Sequence, residues 1–268
     1  MQLWVLGSGS RGNAIVLDAG PTRILIDAGF PPRTLAMRLR ACRIPPESVR
    51  AVIITHEHID HVRGAAKAAS RWGWEMHASR GTVRACPGLA NAHAFRAGDT
   101  VRIDGVTVQT VRISHDAADP VAVVACDERT GVRAAIAHDL GCPSNALRQA
   151  LDRVDVLVLE SNHDEGMLAT GSYPAFLQRR IAGVRGHLSN RMAAELAREA
   201  AHGALRQLVL AHLSEENNTP AVAHRAMADA LRGTRFRGRL TPATQGEPCG
   251  PFGAAAPPPR ARQLGLGL

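Results

Sequence analysis

Aromatic residues are scarce in this chain, whose 268 residues include five Phe, three Trp and one Tyr. Because 45% of the residues are apolar by a broad count, a core can still form, and it must be built from Ala, Val, Leu and Ile. The aromatic residues are scattered along the sequence, with Tyr173 as the only tyrosine. The sequence therefore predicts no aromatic platform of the kind on which single-stranded nucleic acids stack.

Cysteine is also sparse, and its pattern excludes two classes of protein. The chain has five cysteines, an odd number, and no CxxC pair. This argues against a disulfide-stabilised framework and against a zinc site built from thiolates. The five are Cys42, Cys86, Cys126, Cys142 and Cys249.

Long apolar runs are missing as well. The most apolar segments have the length of β-strands, far short of the roughly 20 residues that a membrane-spanning helix needs. The chain starts MQLWVLGSGS, without a basic region ahead of an apolar stretch. We therefore expect no contact with a membrane and no signal peptide, which makes the cytoplasm the default location.

Lysine is nearly absent, with Lys67 as the only one, and arginine dominates a formal net charge of +8. A basic surplus favours polyanionic partners, including nucleic acid. Three groups of arginines are candidates for phosphate contacts, although ordinary solvated faces explain such groups equally well. They are Arg38, Arg40 and Arg43; Arg179, Arg180 and Arg185; and Arg232, Arg235, Arg237 and Arg239.

The most informative segment is HEHIDH at residues 56–61, which follows the apolar run AVIIT at 51–55. His56 and His58 are too close in sequence to share one face of a helix, so the segment suits a loop that leaves a strand. Imidazole and carboxylate ligands together suit zinc, manganese or iron. Four such ligands in six residues exceed what one ion needs, which indicates two neighbouring ions, and such pairs usually drive hydrolysis.

HxHxDH after an apolar strand resembles the signature of the metallo-β-lactamase fold. ESNHD at 160–164, GHLSN at 186–190 and LSEENNTP at 213–220 are similar to the YycJ/WalJ group of bacterial metallo-hydrolases, a nuclease-like branch of that superfamily. The resemblance implies an α+β fold with four αββα layers, in which two sheets lie face to face with helices outside each. The number of strand-like and helix-like segments fits that architecture.

The resemblance extends over about residues 1–248, which we assign to one hydrolase domain. Residues 249–268 are rich in Gly, Ala and Pro. Such a composition buries too little apolar surface to offset the entropy lost on ordering, so we expect a disordered tail.

The resemblance also implies two divalent ions, zinc or manganese, held by seven residues. The ligands of the first ion would be His56, His58 and His115. The ligands of the second ion would be Asp60, His61 and His212. Asp139 would bridge the two ions, and Asp60 and Asp139 would act in catalysis by orienting a bridging hydroxide that serves as the nucleophile.

Further residues are candidates for contact with a substrate. GHLSN opens a helix at Asn190, and a helix N-terminus with free N–H groups beside His187 is a natural phosphate site. In similar nuclease-type proteins, a histidine at this place contacts the scissile phosphate or assists the leaving group, which gives His187 a catalytic role. Ser10 and Asn13 lie in a loop that lacks the GxxxxGK[ST] pattern of a nucleotide P-loop, and with His163 and Asn190 they could touch the substrate.

The resemblance implies a metal-dependent phosphodiesterase that acts on nucleic acid, as a 5′-to-3′ DNA exonuclease. A small-molecule hydrolase of the same fold, such as a cyclic phosphodiesterase or a lactonase, is the alternative, and it needs the same metals but no basic groove. A metal-binding module without turnover is a third hypothesis, against which the complete ligand set argues. The sequence leaves the oligomeric state open.

Overall fold

Two sheets of seven strands each form the centre of residues 1–253, the part of the chain that the computed structural model describes. The first sheet contains β1 (Gln2–Gly7), β2 (Ala14–Asp18), β3 (Arg23–Ile26), β4 (Ala51–Ile54), β5 (Glu75–Ser79), β6 (His93–Phe95) and β14 (Cys249–Gly253). The second contains β7 (Thr100–Ile103), β8 (Val106–Arg112), β9 (Val121–Asp127), β10 (Arg133–Ala137), β11 (Val156–Glu160), β12 (Gln207–Ala211) and β13 (Arg239–Pro242).

Each sheet has an antiparallel half and a parallel half. The first has the order β14-β1-β2-β3-β4-β5-β6 and becomes parallel from β3 onwards. The second has the order β13-β12-β11-β10-β9-β8-β7 and is parallel from β13 to β10. The carboxyl ends of parallel strands meet at one edge of a sheet, which is where ligands of open α/β sheets usually bind.

Helices flank the two sheets. They are α1 (Pro32–Ala41), α2 (Ile59–Val62), α3 (Ala65–Trp72), α4 (Arg80–Ala85), α5 (Asn145–Ala150), α6 (Glu165–Thr170), α7 (Ala175–Ile181), α8 (Asn190–Ala200) and α9 (Pro220–Leu231). Two short 3₁₀ helices span Pro46–Ser48 and Pro87–Leu89. Within residues 1–253, no helix has the length and the apolar character to cross a membrane.

Three apolar layers separate these elements, and strand β4 shows how the sequence builds them. Successive side chains of a strand point to opposite faces. Ala51 and Ile53 accordingly pack between the two sheets, whereas Val52 and Ile54 pack beneath α1 and α3. A third layer fills the space between the second sheet and α5, α8 and α9. The four-layer αββα sandwich that the sequence predicts is therefore confirmed.

The predicted domain boundary at residue 248 is wrong for residues 249–253. These residues form β14, which pairs antiparallel with β1, and Phe252 is buried between the sheets. Their Gly- and Pro-rich composition suggested a tail, but a proline such as Pro251 is tolerated on an edge strand, where its missing N–H breaks no inner ladder. The remainder of the predicted tail, 254–268, lies outside the described residues.

Helices α2 and α3 follow β4 with a short break between them. Gly64 lies at the break, and a Cβ atom there would approach the carbonyl oxygen of Phe30 to 2.0 Å. The backbone N–H of Gly64 donates to the carbonyl of Ala28, which ties the break to the end of β3. As a result, the second half of HEHIDH lies in the single helical turn α2 instead of an open loop.

Candidate metal centre

Three buried polar residues follow parallel strands of the two sheets. Asp27 comes directly after β3, Asp139 two residues after β10, and His212 directly after β12. All three have left-handed backbone conformations, with φ values of 61°, 56° and 53°. Residues other than glycine seldom adopt this conformation, and such strain clusters at functional sites. These strand ends lie beside the HEHIDH segment that leaves β4.

The first predicted set of ligands comes together as a histidine cluster. Nε2 of His56 lies 3.1 Å from Nδ1 of His58, and the latter atom lies 3.2 Å from Nε2 of His115. Burial lowers the pKa of His56 well below its usual value, so its ring is neutral and has a lone pair. Three imidazoles at this separation suit a divalent transition-metal ion.

The second predicted set also comes together. Nε2 of His61 lies 3.3 Å from Oδ2 of Asp60, and Nε2 of His212 lies 3.8 Å from the same oxygen. Nε2 of His212 is buried and, within residues 1–253, has no hydrogen-bond partner. A buried polar atom without a partner is costly, and a ligand at this point would satisfy it.

Asp139 lies between the two clusters. Its Oδ2 is 3.0 Å from Nε2 of His61. Asp139, His56 and His61 are also close enough together to hold a metal ion, and His56 belongs to the first cluster and His61 to the second. The structure thus brings all seven predicted ligands to one place, with Asp139 near residues of both clusters.

The charge at this centre also suits cations. Four carboxylates lie at this centre: Asp27, Asp60, Asp139 and Glu160. Within residues 1–253 their ion-pair partners are histidines, and none of the four pairs with an arginine or a lysine. Burial opposes the charged form of Asp139, but the surrounding imidazoles hold its pKa well below the usual value. Burial likewise lowers the pKa of His212, yet Asp139, Asp60 and Glu160 outweigh it and raise that pKa to about 10. Either protonated imidazoles or divalent ions can balance this negative charge.

Asp27 fixes the orientation of His61. Its Oδ2 accepts a hydrogen bond from Nδ1 of His61 at 2.8 Å, and its Oδ1 accepts one from the backbone N–H of Thr55 at 2.8 Å. Because Nδ1 is used in this way, Nε2 of His61 is directed at the candidate metal centre.

Asn13 lies beneath the centre instead of at its surface. Its side chain is buried; Nδ2 lies 3.1 Å from Oδ2 of Asp60 and 3.0 Å from Nε2 of His61, and Oδ1 accepts from the N–H of Gly9. This placement does not support the predicted contact with substrate and favours a positioning role. Ser10, in contrast, is exposed and lines the cleft above the centre.

Glu160 is a residue of the candidate site that the sequence analysis did not single out. It is fully buried at the end of β11, and its Oε1 accepts a hydrogen bond from Nδ1 of His187 at 2.8 Å. Its Oε2 accepts from the backbone N–H groups of Leu140 and Leu188. Burial alone would lower the pKa of His187, but Glu160 reverses this and raises it. A carboxylate at the end of an otherwise apolar strand was the available signal.

His138, which directly precedes Asp139 in the chain, packs into the centre. Its Nδ1 lies 2.8 Å from Oδ2 of Asp139, and its ring stacks on His61 with 5.2 Å between centroids. It therefore supports two of the candidate ligands from the side away from the cleft.

His163 and Asn190 do not reach the cleft. Both are buried, and the backbone N–H of Asn190 donates to the carbonyl of His163. The side chain of Asn190 accepts a hydrogen bond from the hydroxyl of Ser161 and donates one to the side-chain oxygen of Asn218. These contacts hold the chain before α8 in place, and the predicted contact of either side chain with a substrate has no support in this geometry.

The centre opens into a cleft of about 370 Å³. Candidate ligands and His187 form its floor, and residues of α7, together with the preceding Tyr173, form one wall. Of the three predicted arginine groups, Arg180 alone lines this cleft. Arg38 instead donates to the backbone carbonyls of Leu6 and Gln245 and stacks on Phe30.

Comparison with known proteins identifies the family. Residues 22–213 match the family model described as a beta-lactamase superfamily domain. The chain is 30% identical to the exodeoxyribonuclease WalJ of Streptococcus pneumoniae serotype 2 over 236 residues, which cover 85% of this chain and 87% of WalJ. It is 28% identical to the exodeoxyribonuclease YycJ of Bacillus anthracis over 238 residues, covering 87% and 89% of the two chains.

A solved structure supports the same fold. The metallo-β-lactamase fold protein YhfI of Bacillus subtilis superposes with a TM-score of 0.70 at 16% identity, over 93% of this chain and 99% of YhfI. The family match, the two relatives and the αββα architecture agree with one another. This chain therefore belongs to the β-lactamase superfamily, has the metallo-β-lactamase fold, and is related to the WalJ and YycJ exodeoxyribonucleases.

Proposed function

We propose that this protein is a metal-dependent phosphodiester hydrolase that acts on DNA as a 5′-to-3′ exonuclease. The observation that carries the proposal is the pair of ligand clusters that meet at Asp139 on the floor of the cleft. The relatives named as exodeoxyribonucleases align with most of this chain, which favours DNA as the polymer. The formal net charge of +8 suits a polyanionic substrate.

Two divalent ions, zinc or manganese, fit the donor set. His56, His58 and His115 would hold the first, Asp60, His61 and His212 would hold the second, and Asp139 would contact both. When bound, such a pair supplies Lewis acidity toward the phosphate and makes water a better nucleophile near neutral pH.

The protein's own side chains then have distinct tasks. Asp60 and Asp139 lie on the floor of the cleft and would orient the attacking water. Glu160 holds Nδ1 of His187, which leaves Nε2 of that ring to donate a hydrogen bond or a proton to the phosphate or the leaving oxygen. Ser10 lines the same cleft and offers its hydroxyl to a phosphate oxygen.

A cleavage assay at a fixed moderate salt concentration with added manganese or zinc tests the proposal. The substrates are 5′-labelled linear duplex DNA, single-stranded DNA, RNA and bis-p-nitrophenyl phosphate. We expect nucleotide release from linear DNA, its loss in Asp139→Ala, and unchanged release in the exposed control Asp229→Asn. Cleavage of the small diester alone, with every polymer intact, would overturn the proposal in favour of a small-molecule hydrolase.

A further inference from the structure

Helix α7 is unusual because none of its residues is buried, although it contains Ala175, Phe176, Leu177 and Ile181. A helix of a globular protein normally buries an apolar stripe against the core. The side chains of Leu177 and Ile181 instead line the cleft, together with Tyr173 just before the helix. One wall of the candidate active site is therefore apolar and partly aromatic.

The opposite side of the cleft is different in character. It consists of the histidines and carboxylates of the candidate metal centre, with His187 beside them. A substrate that fills the cleft must therefore present a charged group to the floor and a flat or apolar group to the α7 wall. A nucleotide has this division between phosphate and base.

Most of the large apolar side chains that are exposed also lie in chain segments that form the cleft. Four large ones are exposed within residues 1–253: Met37, Ile59, Phe176 and Val184. Ile59 stands between two cleft residues in the chain, Phe176 directly precedes Leu177, and Val184 lies in the segment that links α7 to His187. Only Met37, on α1, belongs to neither of these cleft-forming segments.

Charge distinguishes this wall from an ordinary apolar surface. Residues 173–187 include Arg179, Arg180 and Arg185 and no acidic residue. Arg180 lines the cleft and donates from Nε and Nη2 to Asp116 at 2.9 and 2.6 Å. Asp116 Oδ1 in turn lies 3.4 Å from Nε2 of His115. The guanidinium is thus held close to the candidate metal centre, where its charge complements the sugar-phosphate backbone of a nucleic acid.

The wall is also coupled to the catalytic floor at its far end. The backbone N–H of His187 donates to the carbonyl of Ile181, the last residue of α7. A Cβ atom at Gly186 would approach the same carbonyl to 2.1 Å, so only glycine permits this close approach. A group bound against Leu177 would therefore have a fixed position relative to His187.

We propose that Tyr173 and Leu177 form the nucleobase-binding wall of the site, against which the base next to the scissile phosphate stacks, while Arg180 contacts the neighbouring phosphate. This rests on the proposed nuclease function and deepens it by naming the part of the substrate that the wall binds. Stacking on an aromatic side chain is tolerant of base identity because every base has a π-face. The wall would thus favour unpaired nucleotides without selecting a sequence. Tyr173 is the one Phe, Trp or Tyr residue that the fold brings to the cleft, and it would supply the aromatic ring of this wall.

The test compares two single-stranded substrates with manganese-loaded enzyme: a thymidine 12-mer, and a 12-mer in which every nucleotide is a tetrahydrofuran abasic analogue. We expect the wild-type kcat/KM to be about 5- to 100-fold higher for the thymidine substrate, in line with the usual worth of one stacked base. Tyr173→Ala should raise KM for the thymidine substrate by a similar factor with little change in kcat. It should leave cleavage of the abasic substrate unchanged.

Two further variants guard against a general loss of structure. Tyr173→Phe keeps the ring and should retain the preference for bases, whereas Met37→Ala removes an exposed apolar side chain elsewhere and should behave as wild type. Equal cleavage of both substrates by the wild type, or an equal loss on both in Tyr173→Ala, would overturn the base-binding wall and leave the nuclease proposal standing. If the wild type cleaves neither substrate but hydrolyses bis-p-nitrophenyl phosphate, the nuclease proposal falls and the wall falls with it.

Discussion

Glu160 accepts a hydrogen bond from Nδ1 of His187 at 2.8 Å, and the same carboxylate oxygen lies 3.1 Å from Nδ1 of His212. One buried carboxylate therefore orients both a residue of the cleft and a candidate metal ligand. It is held in turn by the N–H groups of Leu140 and Leu188, so it cannot turn away. This arrangement sets the direction of two imidazole rings at once.

Glu160→Gln should lower the rate of DNA cleavage by about 10- to 100-fold, the usual effect of removing a carboxylate that orients a metal-bound histidine. The amide keeps the volume of the side chain but cannot accept every hydrogen bond that the carboxylate accepts. Rates are compared at saturating manganese. Glu195→Gln, on an exposed face of α8, is the matched control and should retain the wild-type rate. A wild-type rate in Glu160→Gln would refute the orienting role.

Asp27→Asn should weaken binding of one of two metal ions by about 10- to 100-fold, because Asp27 fixes the ring of His61. The binding constants come from calorimetric titration of chelator-treated protein with zinc. The variant Asp229→Asn, on the exposed side of α9, serves as the control. If Asp27→Asn binds both ions as tightly as the wild type, His61 is oriented by something else or does not bind metal.

Gly29→Ala should destabilise the protein and disturb the metal centre together. A Cβ atom at Gly29 would lie 1.7 Å from the carbonyl oxygen of Asp60, so the backbone that carries Asp60 must move. We expect the free energy of unfolding to fall by ~1–3 kcal/mol, the usual cost of overpacking a buried site. Gly246→Ala, where a Cβ atom meets nothing within 4 Å, should leave it unchanged in the same urea titration. Equal stabilities of the two variants would contradict this packing.

Phe252→Ala should lower the free energy of unfolding by ~3–5 kcal/mol, since it empties a buried aromatic site between the sheets. Phe176→Ala is the control, because it removes the same kind of side chain from a position that is 68% exposed. The stability of this control variant should match that of the wild type. Thermal and urea unfolding of the two variants give the comparison. A stable Phe252→Ala would mean that β14 contributes little to the domain.

Most of the fold and of the candidate metal centre could be predicted from the sequence. Short continuous apolar runs such as AVII predict the central strands because both faces of each sheet are buried there, as the opposite directions of Val52 and Ile53 show. HEHIDH is recognisable because four candidate ligands lie within six residues of one segment. The remaining candidate ligands, His115, Asp139 and His212, required the resemblance, since each follows a different strand and no local pattern connects them.

Other features depend on tertiary contacts that no local pattern records. Glu160 and His187 are 27 residues apart and meet only through the sheet and the turn before α8. The Gly- and Pro-rich composition of β14 hid a strand whose pairing partner is β1, at the other end of the chain. Tyr173 is polar enough to suit any surface loop, and its place in the cleft follows from the direction of α7.

The most direct test of the account is a titration of chelator-treated protein with manganese, in which bound metal and cleavage of 5′-labelled linear DNA are measured on the same samples. We predict two ions per chain, with cleavage rising as the second ion binds, and loss of both binding and cleavage in Asp139→Asn. DNA cleavage that persists without bound metal, or that is undiminished in Asp139→Asn, would contradict it.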